Sequence, residues 1–395
     1  MSGAPAPVDP ADRIASIDAL RGVALIGILL MNIVGFGGPL DPSRPLGAPS
    51  LANPDWQVWI VATTLVEGTM RGLFSMLFGA GMLLFLRETR AGDPAGRRGP
   101  FLRRAGWLVL FGVINGTLLL WPGDILLIYG LAAFALLPFA RATPRTLLRL
   151  AVGGLVVVSI WSLLTNMPAM PGELLSRTSE AWIGEQAIRL GDYPTVLAWM
   201  SATTLDWTLD PSFVWWILEA WTFMLIGMAL LRTGVLDGRV EPWIYRQLAL
   251  VGLGVGLLLN AAETWAIWGN NGGELPWTAL TDQVGRLALT LGWIGLFHLA
   301  WRGGRPRRLF NPLSALGRMA LTGYLAQSVI CALIFSGFGL GLWGRLSWPQ
   351  MWLLVVVIMA GEALFAMAWL RVFRFGPMEW LWRSLTWGRW QPMRV

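Results

Sequence analysis

The sequence predicts an all-α protein, a polytopic transmembrane helix bundle of about ten spans with both termini cytoplasmic. Three observations carry that reading. Of 395 residues, 55% are hydrophobic and 13% charged, against about 25% charged in an average soluble domain, so the chain has too little polar surface to coat a soluble globule. Apolar runs of about 20 residues, the length that crosses a hydrocarbon core roughly 30 Å thick, recur along the whole chain. Arginines gather in alternate loops between those runs, as cytoplasmic loops require.

Residues 1–16 are polar, rich in Ala and Pro, and read as a cytoplasmic tail. The apolar run behind them begins with Asp18 and Arg21 and lacks a small-residue cleavage site, so it reads as a retained span and not a signal peptide. Spans are expected near 17–37, 69–87, 104–121, 124–141, 147–167, 212–231, 247–267, 283–301, 319–341 and 350–370. Together they make one transmembrane domain, 17–371, followed by a cytoplasmic tail, 372–395.

Arginine placement sets the orientation. Arg87, Arg90, Arg97, Arg98, Arg103 and Arg104 follow span two, and Arg141, Arg145 and Arg149 follow span four. Arg232, Arg239 and Arg246 follow span six, Arg302, Arg305, Arg307, Arg308 and Arg318 follow span eight, and Arg371, Arg374, Arg383, Arg389 and Arg394 follow span ten. The opposite loops are poor in arginine. The connection 168–211 carries Glu173, Glu180, Glu185, Asp192, Asp206 and Asp210 against Arg177 and Arg189, which puts it outside. Within it Trp182, Ile183, Ala187 and Leu190 share one side of a helical wheel, predicting a helix on the outer interface.

The net charge is +7 and the chain has no lysine. Arginines beside apolar spans meet anionic lipid headgroups, so the charge points to membrane lipids as partners and away from nucleic acid. The single cysteine, Cys331, permits neither an intrachain disulfide nor a cysteine metal cluster. No internal repeat is visible. Glycines 252, 254 and 256, and 337, 339 and 341, allow helices to approach closely in lipid.

Ionisable groups inside a bilayer cost at least about 2.5–3.5 kcal/mol each, so the few present call for partners, water or a function. Asp18 and Arg21 lie three apart on one helix face and can pair, as a structural ion pair or as part of a binding site. Asn32 continues their stripe about 16 Å further on, which would face protein or water and could line a path across the bilayer. Glu67 and Arg71, four apart at the outer entry to the second span, are spaced for a helical salt bridge. Asp124, in Trp121-Pro122-Gly123-Asp124, is placed to cap a helix N-terminus. Glu219, Glu362, Arg286 and the sole histidine, His298, are expected to pair or pack across helix interfaces, and a metal site at His298 is disfavoured for want of a second ligand nearby. Nucleophile elbows, phosphate loops and dinucleotide fingerprints are absent from the sequence.

The blocks Arg13-Ile14-Ala15-Ser16-Ile17-Asp18-Ala19-Leu20-Arg21-Gly22, Met31-Asn32-Ile33, Leu77-Phe78-Gly79-Ala80-Gly81, Trp121-Pro122-Gly123-Asp124-Ile125-Leu126 with Tyr129, and Gly317-Arg318-Met319-Ala320-Leu321-Thr322 with Tyr324, Gln327 and Ser328 resemble the YeiB-like family of bacterial membrane proteins. Arg374-Phe375-Gly376-Pro377-Met378-Glu379-Trp380-Leu381-Trp382-Arg383-Ser384-Leu385 resembles that family's closing signature. The resemblance implies a multi-pass protein of the bacterial inner membrane. The opening block is also similar, more distantly, to the transmembrane acyltransferase superfamily, which includes heparan glucosaminide acetyltransferase. That similarity implies transfer of an acyl group from cytoplasmic acyl-CoA, as co-substrate and with no bound cofactor, to a sugar or lipid acceptor on the far side. The superfamily's early histidine has no match here. Members of the YeiB-like family commonly carry a histidine shortly before the Gly-Asp-Ile-Leu block, where this chain has Asn115.

On the enzyme reading, Arg21 and Arg318 neutralise the donor's phosphates, Asn32, Tyr324 and Gln327 orient the thioester, and Glu67 or Asp124 is the general base, with Asp18 and Arg71 lining the site. The alternative is a transporter or flippase in which the same polar stripe guides a solute and carboxylates carry coupling protons. A scaffold whose polar residues only join helices is a third reading, and a homodimer stays open.

Overall fold

The structure is a computed structural model and describes residues 14–40, 44–86, 98–167, 172, 174, 176–303 and 307–394. Arg87, Arg90, Arg97, Glu173, Arg305 and most of the N-terminal tail lie outside the described residues.

Among the described residues the secondary structure is helical apart from one isolated bridge, Phe373 to Arg394. In order the helices are α1 (Ala15–Gly37), α2 (Pro54–Leu65), α3 (Thr69–Leu86), α4 (Arg98–Gly116), α5 (Ile125–Leu136), α6 (Pro144–Thr165), α7 (Glu180–Arg189), α8 (Tyr193–Leu209), α9 (Ser212–Arg232), α10 (Pro242–Gly269), α11 (Thr278–Arg302), α12 (Asn311–Arg318), α13 (Ala320–Phe335), α14 (Trp348–Trp369) and α15 (Pro377–Trp387). Among the described residues seven segments are long and apolar enough to cross a membrane, α2 and α3 together counting as one, Pro54–Leu86. An eighth is added if α12 and α13, bent by 75°, form one broken span. The protein is therefore a multi-pass membrane protein.

α1 sits at the centre, with 67% of its most apolar window buried, whereas α6 and α10 are only 22% and 28% buried and form the rim. On α10 Leu250, Leu258 and Trp265 are left exposed, the pattern of a helix that faces lipid. Small residues set the tightest crossings. Gly79 of α3 and Gly227 of α9 each lie against the other helix's main chain, at Met224 and Met76, so a Cβ at either position would collide with backbone. Of the predicted glycine sets, Gly252 and Gly256 press α10 onto α11, while Gly254 faces open space.

Four expected spans are rebuilt by the structure. The second does not begin at residue 69. The chain enters as α2, breaks at Val66–Gly68 and resumes as α3, with Gly68 in the left-handed region at φ +67 and the Thr69 N–H donating to the Glu67 carbonyl at 2.7 Å. The break lies mid-span, since Met70 packs against Gly27 near the middle of α1. The polar residues of α2 masked this continuation in the sequence.

The third and fourth spans are also unequal. α4 ends at Gly116, and α5 starts at Ile125 and runs only to Leu136 before a 3-10 turn, Leu137–Phe139. Trp121 stacks on Phe36 at the far end of α1, centroids 4.0 Å apart. Four residues later Ile125 reaches Tyr324, whose neighbour Gly323 packs on Leu25, again near the middle of α1. α5 is thus a half-helix beginning at mid-depth. The ninth span is likewise shorter than expected, because Met319 separates α12 from α13 and the chain leaves the helix after Phe335.

The end of the bundle where α1 begins gathers Arg21, Arg104, Arg318 and Arg383 and is here called the arginine-rich end. At the opposite end α7 forms as the sequence predicts but turns a different face inward. Trp182 and Arg189 are buried while Ile183 is 54% exposed. Arg189 donates to the Gly35 carbonyl at 2.6 Å, and Trp182 packs on Trp343, centroids 4.8 Å apart. The helix docks on protein through a guanidinium and a ring, which a wheel of apolar residues does not foresee.

Candidate functional site

The charged centre of the molecule is built on α3, α9 and α11. Arg71, on the first turn of α3 after the break, donates from Nε to Glu219 Oε2 at 3.0 Å and from Nη2 to Oε1 at 3.3 Å, while its guanidinium lies 4.4 Å from the Trp216 ring centroid. Arg286 of α11 donates from Nη1 to Glu219 Oε1 at 2.9 Å, and the Gln283 amide adds a further bond at 3.2 Å. Glu219 is 4% exposed, and two guanidiniums hold it there as a carboxylate's natural counter-charges. Arg286 also pairs with Asp282 one turn away, at 2.5 Å. Two arginines and two carboxylates thus form a neutral quartet. Glu219 and Arg286 lie three and four residues from the middles of α9 and α11, or about 5–6 Å of helix rise.

The Glu67–Arg71 salt bridge expected from spacing is not formed. That rule assumes a continuous helix, and the break at Gly68 turns Glu67 away, leaving Arg71 to a partner 148 residues distant. Glu67 stays half-buried and within electrostatic reach of Arg286, whose side chain lies against Gly68. On the far side of α11, Glu263 of α10 accepts from the Thr281 hydroxyl.

A second polar group sits at the start of α5. Asp124 is 5% exposed and caps the half-helix, its Oδ2 accepting from the Leu127 N–H at 2.7 Å, as the sequence predicts for a cap. Its Oδ1 accepts from Asn115 Nδ2 at 2.7 Å, and the Tyr324 hydroxyl bonds both its carboxylate and the Ile125 N–H. Gly112 leaves room for the Asp124 carboxylate, which lies against it. Tyr129, one turn along α5, links this group to the charged centre through Ser75, at 2.7 Å, and the Arg71 carbonyl, at 3.2 Å.

The remaining predicted residues are spread over the bundle. Asp18 and Arg21 form the expected ion pair at 3.0 Å, at the arginine-rich end and remote from Glu67. Asn32 is half-buried on the same stripe. Gln327 donates to Glu362 at 3.0 Å across α13 and α14, and Arg318 donates to the Arg374 carbonyl at 3.4 Å. His298 is fully buried and stacks on Tyr245, centroids 4.6 Å apart, as a packing residue.

An apolar cleft of about 540 Å³ opens between α1, α3 and α11, lined by Leu20, Val23, Leu73, Trp293 and Phe297 and reaching Gly303 at the end of α11. That volume falls within the roughly 300–1,000 Å³ of small-molecule clefts. Leu20 and Val23 are on a different side of α1 from Arg21 and Asn32 at 100° per residue, so the stripe is inside the bundle but does not line this cleft.

The closing segment of the chain acquires a structural meaning here. Glu379 of α15 accepts from the Leu321 and Thr322 N–H groups at 2.7 and 3.1 Å and from the Thr322 hydroxyl at 2.5 Å, which supplies α13 with the N-cap its own sequence lacks. Burial outweighs these donors and holds the Glu379 carboxyl above its usual range. Two segments singled out in the sequence, 317–328 and 374–385, therefore meet in one contact.

Asp282, Gln283, Ser75 and Glu263 were not singled out by sequence reasoning. The i,i+4 spacing of Asp282 and Arg286 was a usable signal, lost because Asp282 falls just ahead of the apolar run.

Fold and centre together define a polytopic helical membrane protein with a buried, charge-balanced centre at mid-depth and an apolar cleft beside its central helix. Residues 230–389 match the family described as "Protein of unknown function (DUF418)". The chain is 32% identical to protein YeiB of Escherichia coli (strain K12) over 396 residues, covering 95% of this chain and 96% of that one. It is 31% identical to protein YxaH of Bacillus subtilis (strain 168) over 411 residues, covering 97% and 96%. A 39.9 kDa protein of Bacillus acidopullulyticus is 28% identical over 388 residues. The chain belongs to the YeiB-like family.

Proposed function

We propose that this protein is an acyltransferase of the inner membrane, with ten crossings and both termini cytoplasmic, which takes an acyl group from cytoplasmic acyl-CoA and delivers it to a sugar or lipid hydroxyl reached from the outer side. The observation that carries the reading is the Asn115–Asp124 contact of 2.7 Å at the mid-depth start of α5, against Tyr324. A histidine at position 115, as family members commonly carry there, would meet Asp124 as an oriented imidazole, the arrangement of a general base and the carboxylate that fixes its tautomer. In this chain the asparagine amide cannot take a proton. Both Asp124 oxygens are engaged by Asn115 and Leu127, while the Glu67 side-chain carboxylate accepts no hydrogen bond among the described residues and is the better base.

The reaction follows from those positions. Glu67 takes the acceptor hydroxyl's proton, the oxygen attacks the thioester carbonyl carbon, and the C–S bond breaks to release the thiolate of coenzyme A. The acyl chain lies in the apolar cleft, which supplies water-free packing for it. Arg21 and Arg318 face the donor's phosphates, and Asn32, Tyr324 and Gln327 line its path.

Purified protein given labelled acyl-CoA tests this. Transfer or slow thioester hydrolysis is expected from the wild type, abolished by Glu67→Gln and raised by Asn115→His. Absence of both turnover and acyl-CoA binding overturns the proposal.

One observation favours a second reading, solute or lipid transport. The interruption of Pro54–Leu86 at mid-depth, beside Arg71, Glu219 and Arg286, is the arrangement in which transporters place their sites. Solute uptake into liposomes that depends on Glu67 or Asp18, without acyl transfer, supports it.

A further inference from the structure

The apolar cleft beside α1 has a definite depth and a closed end. Along α11 its lining runs from Trp293 to Gly303, ten residues or about 15 Å of helix rise. α3 gives nearly the same figure, because Leu73 stands eight residues, about 12 Å, from Gly81, which lies beside Arg21 at the arginine-rich end. Toward mid-depth the cleft stops where α3 and α11 are joined directly. The Thr290 hydroxyl, three residues beyond Trp293, donates to the Thr69 carbonyl at 3.1 Å, and a Cβ at Gly72 would crowd that hydroxyl. At the other end Gly303 forms a mouth flanked by Arg302 and Arg308, both exposed. Arg302 donates to the Val240 carbonyl at 2.8 Å, a neutral partner. Arg308 is held near the mouth by Phe310, which packs on Phe297 of the lining with centroids 6.0 Å apart. One side of the cleft is open, since Leu296 of its lining is 42% exposed and faces the surrounding bilayer.

These dimensions are those of one leaflet. Half of a hydrocarbon core roughly 30 Å thick is about 15 Å, so a lipid tail that starts at the headgroup level of the arginine-rich end would finish at the Thr69–Thr290 contact. A cleft lined by aliphatic side chains and aromatic rings offers nothing to water, and left unfilled it forfeits the dispersion contacts of its walls. A tail alone gains little by leaving the bilayer for such a cleft. The guanidiniums at the mouth supply the preference, because they meet the phosphate of an anionic headgroup at the membrane surface. We propose that the cleft between α1, α3 and α11 is a binding site for one anionic phospholipid of the leaflet at the arginine-rich end, with an acyl chain along α11 and its headgroup at Arg302 and Arg308. The site stands apart from the acyl-transfer reading, on which a donor's chain would have to displace this lipid.

The full chain in detergent is incubated with phosphatidylglycerol or phosphatidylcholine of matched chains, and the lipid retained is read by native mass spectrometry. Wild type is expected to retain one phosphatidylglycerol, about tenfold or more in preference to phosphatidylcholine, for two guanidiniums at an anionic headgroup. Ala300→Trp fills the cleft and should abolish that retention. Leu296→Trp, on the open side, is the second variant should Ala300→Trp fold poorly, with the same loss expected. Arg308→Gln should leave the place of the chain intact and lower the preference to a few-fold. Leu258→Trp, on the lipid-facing side of α10, should change nothing. The proposal is overturned if wild type retains no phospholipid or retains both lipids equally, if both cleft-filling variants hold phosphatidylglycerol as wild type does, if Arg308→Gln keeps the full preference, or if Leu258→Trp loses the lipid as completely as they do. Acyl-CoA takes no part in these measurements, so failure of acyl transfer would leave their outcome unaffected.

Discussion

The charged centre and the arginine-rich end solve the same problem in opposite ways. At the centre Arg71 and Arg286 share Glu219, and Arg286 has Asp282 as well, so no net charge faces hydrocarbon. At the arginine-rich end Arg104 is stacked on an indole, and no carboxylate among the described residues bonds it. Charge at mid-depth is balanced by carboxylates within the protein, whereas Arg104 is held by the face of a ring.

The sharpest way to break that contrast is at Glu219. Glu219→Ala strands Arg71 at mid-depth, leaves Arg286 to Asp282 alone, and is expected to cost about 3–5 kcal/mol, read as a large drop in thermal midpoint in detergent. A double variant, Glu219→Gln with Arg71→Met, removes one charge of each sign and should recover part of the loss. If the single change leaves the midpoint in place, the centre is not balanced as described.

A smaller effect is expected at Glu379. Glu379→Ala removes the cap from α13 and should cost about 1–2 kcal/mol by the same measurement. It should also loosen α15, seen as faster proteolysis after Arg374. A change confined to the midpoint, with proteolysis unaltered, would mean that α15 is fastened by Trp382 alone.

The Asp18–Arg21 pair should matter less. Arg21 is 25% exposed in its side chain, so solvent screens the pair, and Asp18→Asn is expected to cost no more than about 1 kcal/mol. A larger loss would place this pair with the centre.

The smallest effect concerns pH at the opposite end. Hydrogen bonds from Thr195 hold the Asp192 carboxyl, the N-cap of α8, below its usual range. A carboxyl with a lowered folded-state pKa stabilises the fold above its unfolded value of about 4 and loses that contribution as pH falls through the folded value. Wild type should therefore show a slight acid softening near α8 below about pH 4, by hydrogen exchange, that Asp192→Asn lacks.

What the sequence revealed was mostly short-range. The Asp18–Arg21 pair, the Asp124 cap and the helix at 180–189 each follow from rules spanning three or four residues, and each is present. The rules failed where the chain is interrupted. Arg71 takes Glu219 in place of Glu67 because Gly68 ends the helix between them, and nothing local predicts a partner 148 residues away. The depth of Asp124 was hidden for a similar reason. Apolar runs on both sides made α4 and α5 look like two full crossings, when the loop from 117 to 124 carries the carboxylate to mid-depth.

Gly79 and Gly227 impose a mechanical consequence. Because the main chains of α3 and α9 touch, neither can slide along the other, and Arg71 and Glu219 must travel as one piece. Breathing that admits a long tail between α1, α3 and α11 therefore falls to α11 or α1, with the α3–α9 pair as the fixed jaw.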